Sequence, residues 1–129
     1  MALKFLIVDD SQTMRRIVAN SLKNLGYEDF VEASDGKDAL VKLAADDLIN
    51  FVITDWNMPV LSGLELIKAI RADEKMGKIP VLMVTTRGVK DDIIEALKAK
   101  VNNYVVKPFT PAILREKIDR IVASNGGSN

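Results

Sequence analysis

Acidic, hydroxyl and cationic residues stand at the ends of four apolar runs in this chain. Asp9-Asp10 follows Phe5-Leu6-Ile7-Val8, and Asp55 follows Phe51-Val52-Ile53-Thr54. Thr85-Thr86 follows Val81-Leu82-Met83-Val84, and Lys107-Pro108 follows Tyr104-Val105-Val106. In an open parallel α/β sheet, ligands bind in the crevice outside the carboxyl ends of the strands. If the runs are such strands, these groups converge on one edge and form a site. Three carboxylates there repel one another unless a cation sits among them, and Mg²⁺ suits an all-oxygen donor set that keeps several waters. A metal, a carboxylate, a hydroxyl and an ammonium together make a receptor for a phosphoryl group, whose transfer asks chiefly for positioning and charge neutralisation. A carboxylate can itself be the nucleophile, giving an aspartyl-phosphate.

Taken singly, each residue has a plainer explanation. Asp9-Asp10-Ser11 can be a strand-to-helix turn with a polar cap, and Asp55 a turn residue ahead of Pro59 and Gly63. Lys107 can be a solvated lysine at a strand end, and Thr85 a β-branched strand residue. Their shared position at strand ends favours the chemical reading. Pro108 adds to it, because an X-Pro bond can be cis and so direct the preceding side chain.

Composition narrows the chemistry further. The 129 residues suffice for one domain, and 48% hydrophobic with 28% charged residues fits a globular protein with a core. Eighteen basic and eighteen acidic residues balance, which argues against nucleic-acid binding, since phosphate-backbone affinity needs clustered positive charge. There is no cysteine and no histidine. Thiolate nucleophiles, disulfides, His-ligated zinc and Ser-His-Asp hydrolysis are thereby excluded. No apolar run approaches the roughly 20 residues of a membrane span, and the start lacks a signal-peptide layout. The expected location is cytoplasmic, with no membrane association.

Five apolar runs alternate with helix-period stretches, the pattern of an α/β parallel sheet covered on both faces. Strands are expected near Leu3–Val8, Asp29–Ala33, Asn50–Thr54, Pro80–Thr85 and Asn103–Lys107, the second near an edge because it is the weakest. Helical stripes run through Met14, Ile17, Val18, Ser21, Leu22 and Leu25, ending at Gly26; then through Ala39, Leu40 and Leu43. Leu64, Ile67 and Ile70 form the third and Ile93, Ile94 and Leu97 the fourth. The last stripe holds Ile113, Leu114, Ile118, Ile121 and Val122, with Pro111 in its first turn. One domain over residues 3–124 is expected, and residues 125–129 read as a flexible tail.

These segments resemble a known family. Val8-Asp9-Asp10-Ser11, Met14-Arg15-Arg16, Thr54-Asp55-Trp56-Asn57-Met58-Pro59, Val84-Thr85 and Tyr104-Val105-Val106-Lys107-Pro108-Phe109-Thr110 look like the receiver domain of two-component response regulators, and most like its single-domain chemotaxis members. The resemblance covers Leu3 to about Val122. It implies a flavodoxin-like doubly wound sheet of five parallel strands in order 2-1-3-4-5 with five helices. It also implies a phosphorylation-activated signalling switch rather than an enzyme with an external substrate. Asp55 would take the phosphoryl group from a phosphohistidine on a sensor kinase. Asp10, Asp55 and the Asn57 carbonyl would hold Mg²⁺, while Asp9 would orient a metal-bound water. Lys107 and Thr85 would contact the phosphoryl oxygens, and Tyr104 would respond by changing rotamer. The output face would comprise Lys90, Ile93, Tyr104, Val106 and Lys117, meeting a flagellar motor switch protein. A chemotaxis-type histidine kinase and a phosphatase complete the implied partners, with the protein itself a monomer.

Four positions depart from the family pattern. Thr86 and Arg87 stand where a small and an acidic residue are usual, which with Asn57 bears on the rate of dephosphorylation. Ser62 replaces a frequent Asp or Asn, a change expected to be minor. Lys100 replaces a glycine that commonly ends helix four; a positive φ there costs roughly 1 kcal/mol or more, unless Asn102 or Asn103 takes the left-handed position instead. The competing readings are a stand-alone phosphorelay receiver or a receiver fragment of a transcriptional regulator. An aspartate-nucleophile phosphohydrolase would want an Asp-x-Asp spacing, and here the acids are adjacent. A flavin carrier would need a first loop that welcomes a phosphate, which Asp9 and Asp10 repel.

Overall fold

A computed structural model describes residues 2–86 and 90–126, the side chains of 90–92, 125 and 126 excepted. The elements are β1 (Phe5–Val8), α1 (Gln12–Asn24), β2 (Phe30–Ala33), α2 (Gly36–Ala45), β3 (Phe51–Thr54), α3 (Gly63–Ala72), β4 (Val81–Thr85), α4 (Lys90–Lys98), β5 (Asn103–Val106) and α5 (Pro111–Gly126). The strands pair in parallel in the order β2-β1-β3-β4-β5. The expected architecture and the edge position of β2 are both found.

Each interior strand is buried along its whole length because helices cover both faces of the sheet. Alternation along β1 divides its side chains between two cores. Phe5 and Ile7 join Val18, Ala19 and Leu22 of α1 and Leu114, Ile118 and Ile121 of α5. Leu6 and Val8 join Ala39 and Leu43 of α2, Leu66, Ile67 and Ile70 of α3, and Ala96 of α4. Phe5 also packs its ring on Phe51 and Tyr27, with centroids 5.0 and 5.1 Å away.

Three helix faces differ from the sequence expectation. Ile17 on α1 is exposed, and Ala19 takes a buried place instead. On α4, Ile94 and Leu97 are exposed and the small Ala96 is the buried contact, so the helix meets the sheet through a methyl group and turns its larger residues outward. On α5, Ile113 and Val122 are exposed, leaving the i, i+4, i+7 row Leu114, Ile118, Ile121 as the core seam. In addition, α5 continues through Gly126, two residues past the expected domain end, and residues 127–129 lie outside the described part.

Helix ends are set by local chemistry. Ser11, Asp35 and Ser62 cap α1, α2 and α3 by accepting the N–H groups of Met14, Asp38 and Glu65, and Glu65 closes a capping box on Ser62. Ser62 is thus a competent replacement for an acidic cap, as expected. Gly26, with φ 92°, ends α1: its N–H reaches Lys23 O and the next N–H, of Tyr27, reaches Leu22 O, the pairing of a Schellman motif. Lys100 ends α4 in the same way. Its φ is 69°, its N–H bonds Leu97 O, and Val101 N–H bonds Ala96 O. Lys100, rather than Asn102 or Asn103, therefore takes the left-handed position. Lys100→Gly is expected to raise the urea midpoint with unchanged slope, by about 1 kcal/mol in unfolding free energy.

Candidate functional site

Register brings the acids together. Val8 of β1 is paired with Thr54 of β3, so Asp9 and Asp55 emerge side by side, joined by the Asp55 N–H to Val8 O bond of 2.9 Å. Carboxylate oxygens of Asp9, Asp10 and Asp55 lie within 4.8 Å of one another. From across the edge, Lys107 Nζ comes to 3.3 Å from Asp9 Oδ2 and 3.5 Å from Asp55 Oδ2. The Lys107–Pro108 bond is cis, the isomer considered from the sequence. Thr85 is buried at the end of β4, and its carbonyl accepts the Lys107 N–H at 2.8 Å.

Asp9 is fixed on several sides. Its Oδ1 accepts the Ser11 N–H at 2.9 Å, and its carbonyl accepts Arg15 Nη1 at 2.6 Å. Arg15 in turn pairs through Nε with Glu32 of β2 at 3.1 Å. Asp55 Oδ1 accepts the Trp56 N–H at 2.8 Å, and Thr54 Oγ1 donates to the Asp55 carbonyl at 2.9 Å. The start of α3 presses on the same backbone. A Cβ on Gly63 would lie 2.0 Å from Asp55 O, so glycine is required by close approach, and Gly63 N–H bonds Trp56 O at 2.8 Å. Arg15 and Gly63 were not among the expected site residues. Both act through main-chain oxygens, which leave no signature in side-chain spacing.

Among the described residues, three carboxylates thus face one ammonium. The Asp55 carboxyl is held above its ordinary value first by burial and then by Asp9, against the opposing pull of Lys107 and the Trp56 N–H. The donor set consists of hard oxygens, mutually repelling and partly open through the exposed Asp10, and it fits an oxygen-seeking divalent cation.

Other expected residues scatter more widely. Asn57 and Thr86 are exposed beside the site, whereas Arg87 lies outside the described residues. Tyr104 is half-buried against the core on β5, and Lys117 Nζ of α5 sits 5.6 Å from its ring centroid. Val106 is exposed and Ile93 half-buried. Lys90 begins α4, its side chain being outside the described part.

With this geometry in place, comparison with known proteins identifies the family. The response regulator receiver domain model matches residues 5–119. The chain belongs to the response regulator receiver family. Among similar proteins, chemotaxis protein CheY1 of Helicobacter pylori is 53% identical over 123 residues, 95% of this chain and 99% of that one. The CheY homolog of Campylobacter jejuni is 50% identical over 125 residues, 97% and 96% of the two chains. Among solved structures, CheY4 of Vibrio cholerae superposes with a TM-score of 0.86 at 34% identity, over 94% of this chain and 99% of that one. A sensor-kinase receiver domain of Pseudomonas aeruginosa, with magnesium coordinated in its active-site cleft, gives 0.84 at 26% identity, over 95% and 99%. This receiver is therefore of the CheY type. No described helix is long and apolar enough to cross a membrane.

The raised Asp55 value has a pH consequence for the metal-free receiver. A carboxyl that holds its proton more tightly when folded contributes stability below the ordinary value of 3.8, and loses it as pH rises through the folded value. Asp55→Asn in chelator is expected to melt at a higher temperature than the parent at neutral pH, with the difference closing as pH falls toward 3.8. Thermal melts across pH test this.

Proposed function

We propose that this receiver is a phosphorylation-activated switch of chemotaxis signalling, in which Asp55 takes a phosphoryl group from the phosphohistidine of a chemotaxis-type kinase. The supporting observation is the meeting of Asp55 with Asp9, Asp10 and Lys107 at one sheet edge. An Asp55 oxygen attacks phosphorus as the P–N bond to the donor imidazole breaks, and the imidazole leaves with a proton. Lys107 swings from its carboxylate partners to the incoming phosphoryl oxygens, and Thr85 Oγ1 donates to another. Asp10, Asp55 and the Asn57 carbonyl would hold Mg²⁺ beside Asp9. Bound there, the ion supplies charge neutralisation at the transferred group. Hydrolysis of the aspartyl-phosphate, tuned by Asn57, Thr86 and Arg87, resets the switch with or without a phosphatase. A cytoplasmic, monomeric protein is consistent with this role.

Acetyl phosphate with Mg²⁺ should add one phosphoryl group, read by intact mass. Asp55→Asn or excess chelator should abolish the gain, and a modification that persists in Asp55→Asn defeats the assignment.

Output passes through α4, β5 and α5. Thr85 and Val106 are register partners, so movement of the Thr85 hydroxyl toward the phosphoryl group reaches β5 directly and frees space for the Tyr104 ring. Lys90, Ile93, Tyr104, Val106 and Lys117 then meet the N-terminal peptide of a flagellar motor switch protein. Exposed Ile94, Leu97 and Val106 supply apolar area on the same elements. The face shifts only as far as the phosphoryl group discriminates between its states. Beryllofluoride activation is expected to tighten binding of such a peptide about tenfold, or about 1.4 kcal/mol. Tyr104→Ala should remove most of that difference, as measured by titration of both forms.

A further inference from the structure

A groove of about 390 Å³ runs between α3 and the end of α4; Lys68, Arg71, Glu95, Lys98, Ala99 and Lys100 line it. Helical spacing puts them there. Lys68 and Arg71 are one turn apart on α3, Glu95 and Lys98 share one side of α4, and Ala99 and the left-handed Lys100 follow at its end. Four cations against one carboxylate leave a local excess of three positive charges in a chain whose formal net charge is zero.

One of the lining residues, Arg71, has no acidic partner among the described residues. Arg71 Nε donates to Lys100 O at 3.0 Å, Nη1 to Gly77 O and Ile79 O at 3.1 and 2.6 Å, and Nη2 to Asn102 Oδ1 at 2.9 Å. Four of its five N–H donors are thus committed, all to neutral acceptors. Among the described residues no carboxylate pairs with it, and burial pushes its pKa down. The nearest acid on α3, Glu65, is occupied in the capping box with Ser62. A cation pinned in place costs no side-chain ordering when an anion arrives.

We propose that this groove docks an acidic polypeptide segment, rich in Asp or Glu, supplied by a partner protein. Charge complementarity selects the occupant. The cations that line the groove come from α3, α4 and the turn that ends α4, and Glu95 interrupts them. That suits a few carboxylates of a peptide better than the continuous phosphate backbone of a nucleic acid, which needs an extended basic surface. Because α4 forms one wall, an occupant touches a helix that, on the reading proposed above, also contributes to the output face.

The test titrates ¹⁵N-labelled protein with a short Glu-rich peptide and, separately, with an oligothymidylate of equal charge. Peptide-induced shifts are expected to gather on Lys68, Arg71, Glu95, Lys98, Ala99 and Lys100. Affinity should fall about tenfold in Lys68→Glu/Lys98→Glu and rise in Glu95→Gln, with melting curves confirming that both variants fold. Shifts spread over surface lysines in general, binding that survives the double charge reversal, or tighter binding of the oligonucleotide would overturn the proposal.

Discussion

Parallel pairing of β1 with β3 forces two carboxylates into contact, and the rest of the functional edge is arranged around their repulsion. The register that aligns Val8 with Thr54 leaves Asp9 and Asp55 no other place to go. Lys107 answers by standing between them. Its ammonium arrives from the far edge of the sheet, which makes β5 answerable to the charge state of β3. Among the described residues one lysine faces three acids, and burial raises the Asp55 carboxyl further. Such a set of oxygens fits additional positive charge.

Backbone contacts explain why these acids stay poised. Arg15 draws the Asp9 carbonyl toward α1 while its own charge is met by Glu32 on the edge strand. Trp56 and Thr54 hold the two ends of Asp55. Such interactions fix direction without neutralising the carboxylates, an economical way to keep a strained set of charges in order.

The strands and the acidic edge were legible because their signals are long or chemically pointed. Continuous apolar runs such as Phe51–Thr54 can be little else between covered faces, and Asp, Thr and Lys at their ends carry their chemistry in their side chains. Helix faces were less legible. On α4 the burial of Ala96 in place of Ile94 and Leu97 reflects how closely the helix approaches the sheet, a tertiary distance that no periodicity contains. The roles of Arg15, Gly63 and Arg71 share one cause of invisibility: each is defined by main-chain oxygens brought from elsewhere in the fold. Lys100 could be read as a strained position, yet only the hydrogen bonds around it show that it, and neither neighbouring asparagine, absorbs the turn.

The absent side chain of Gly63 gives the site a fixed jaw and an adjustable one. On one side, β1, β3 and the first turn of α3 are locked at van der Waals distance through Asp55 O and Trp56 O, and packed contacts of that kind resist small displacements. On the other, Thr85 and Lys107 are tied to each other through the main chain, and Lys107 reaches Asp9 and Asp55 through a long, rotatable stem. A displacement of the Asp55 carboxylate therefore meets tighter packing on the α3 side than on the side of the lysine stem.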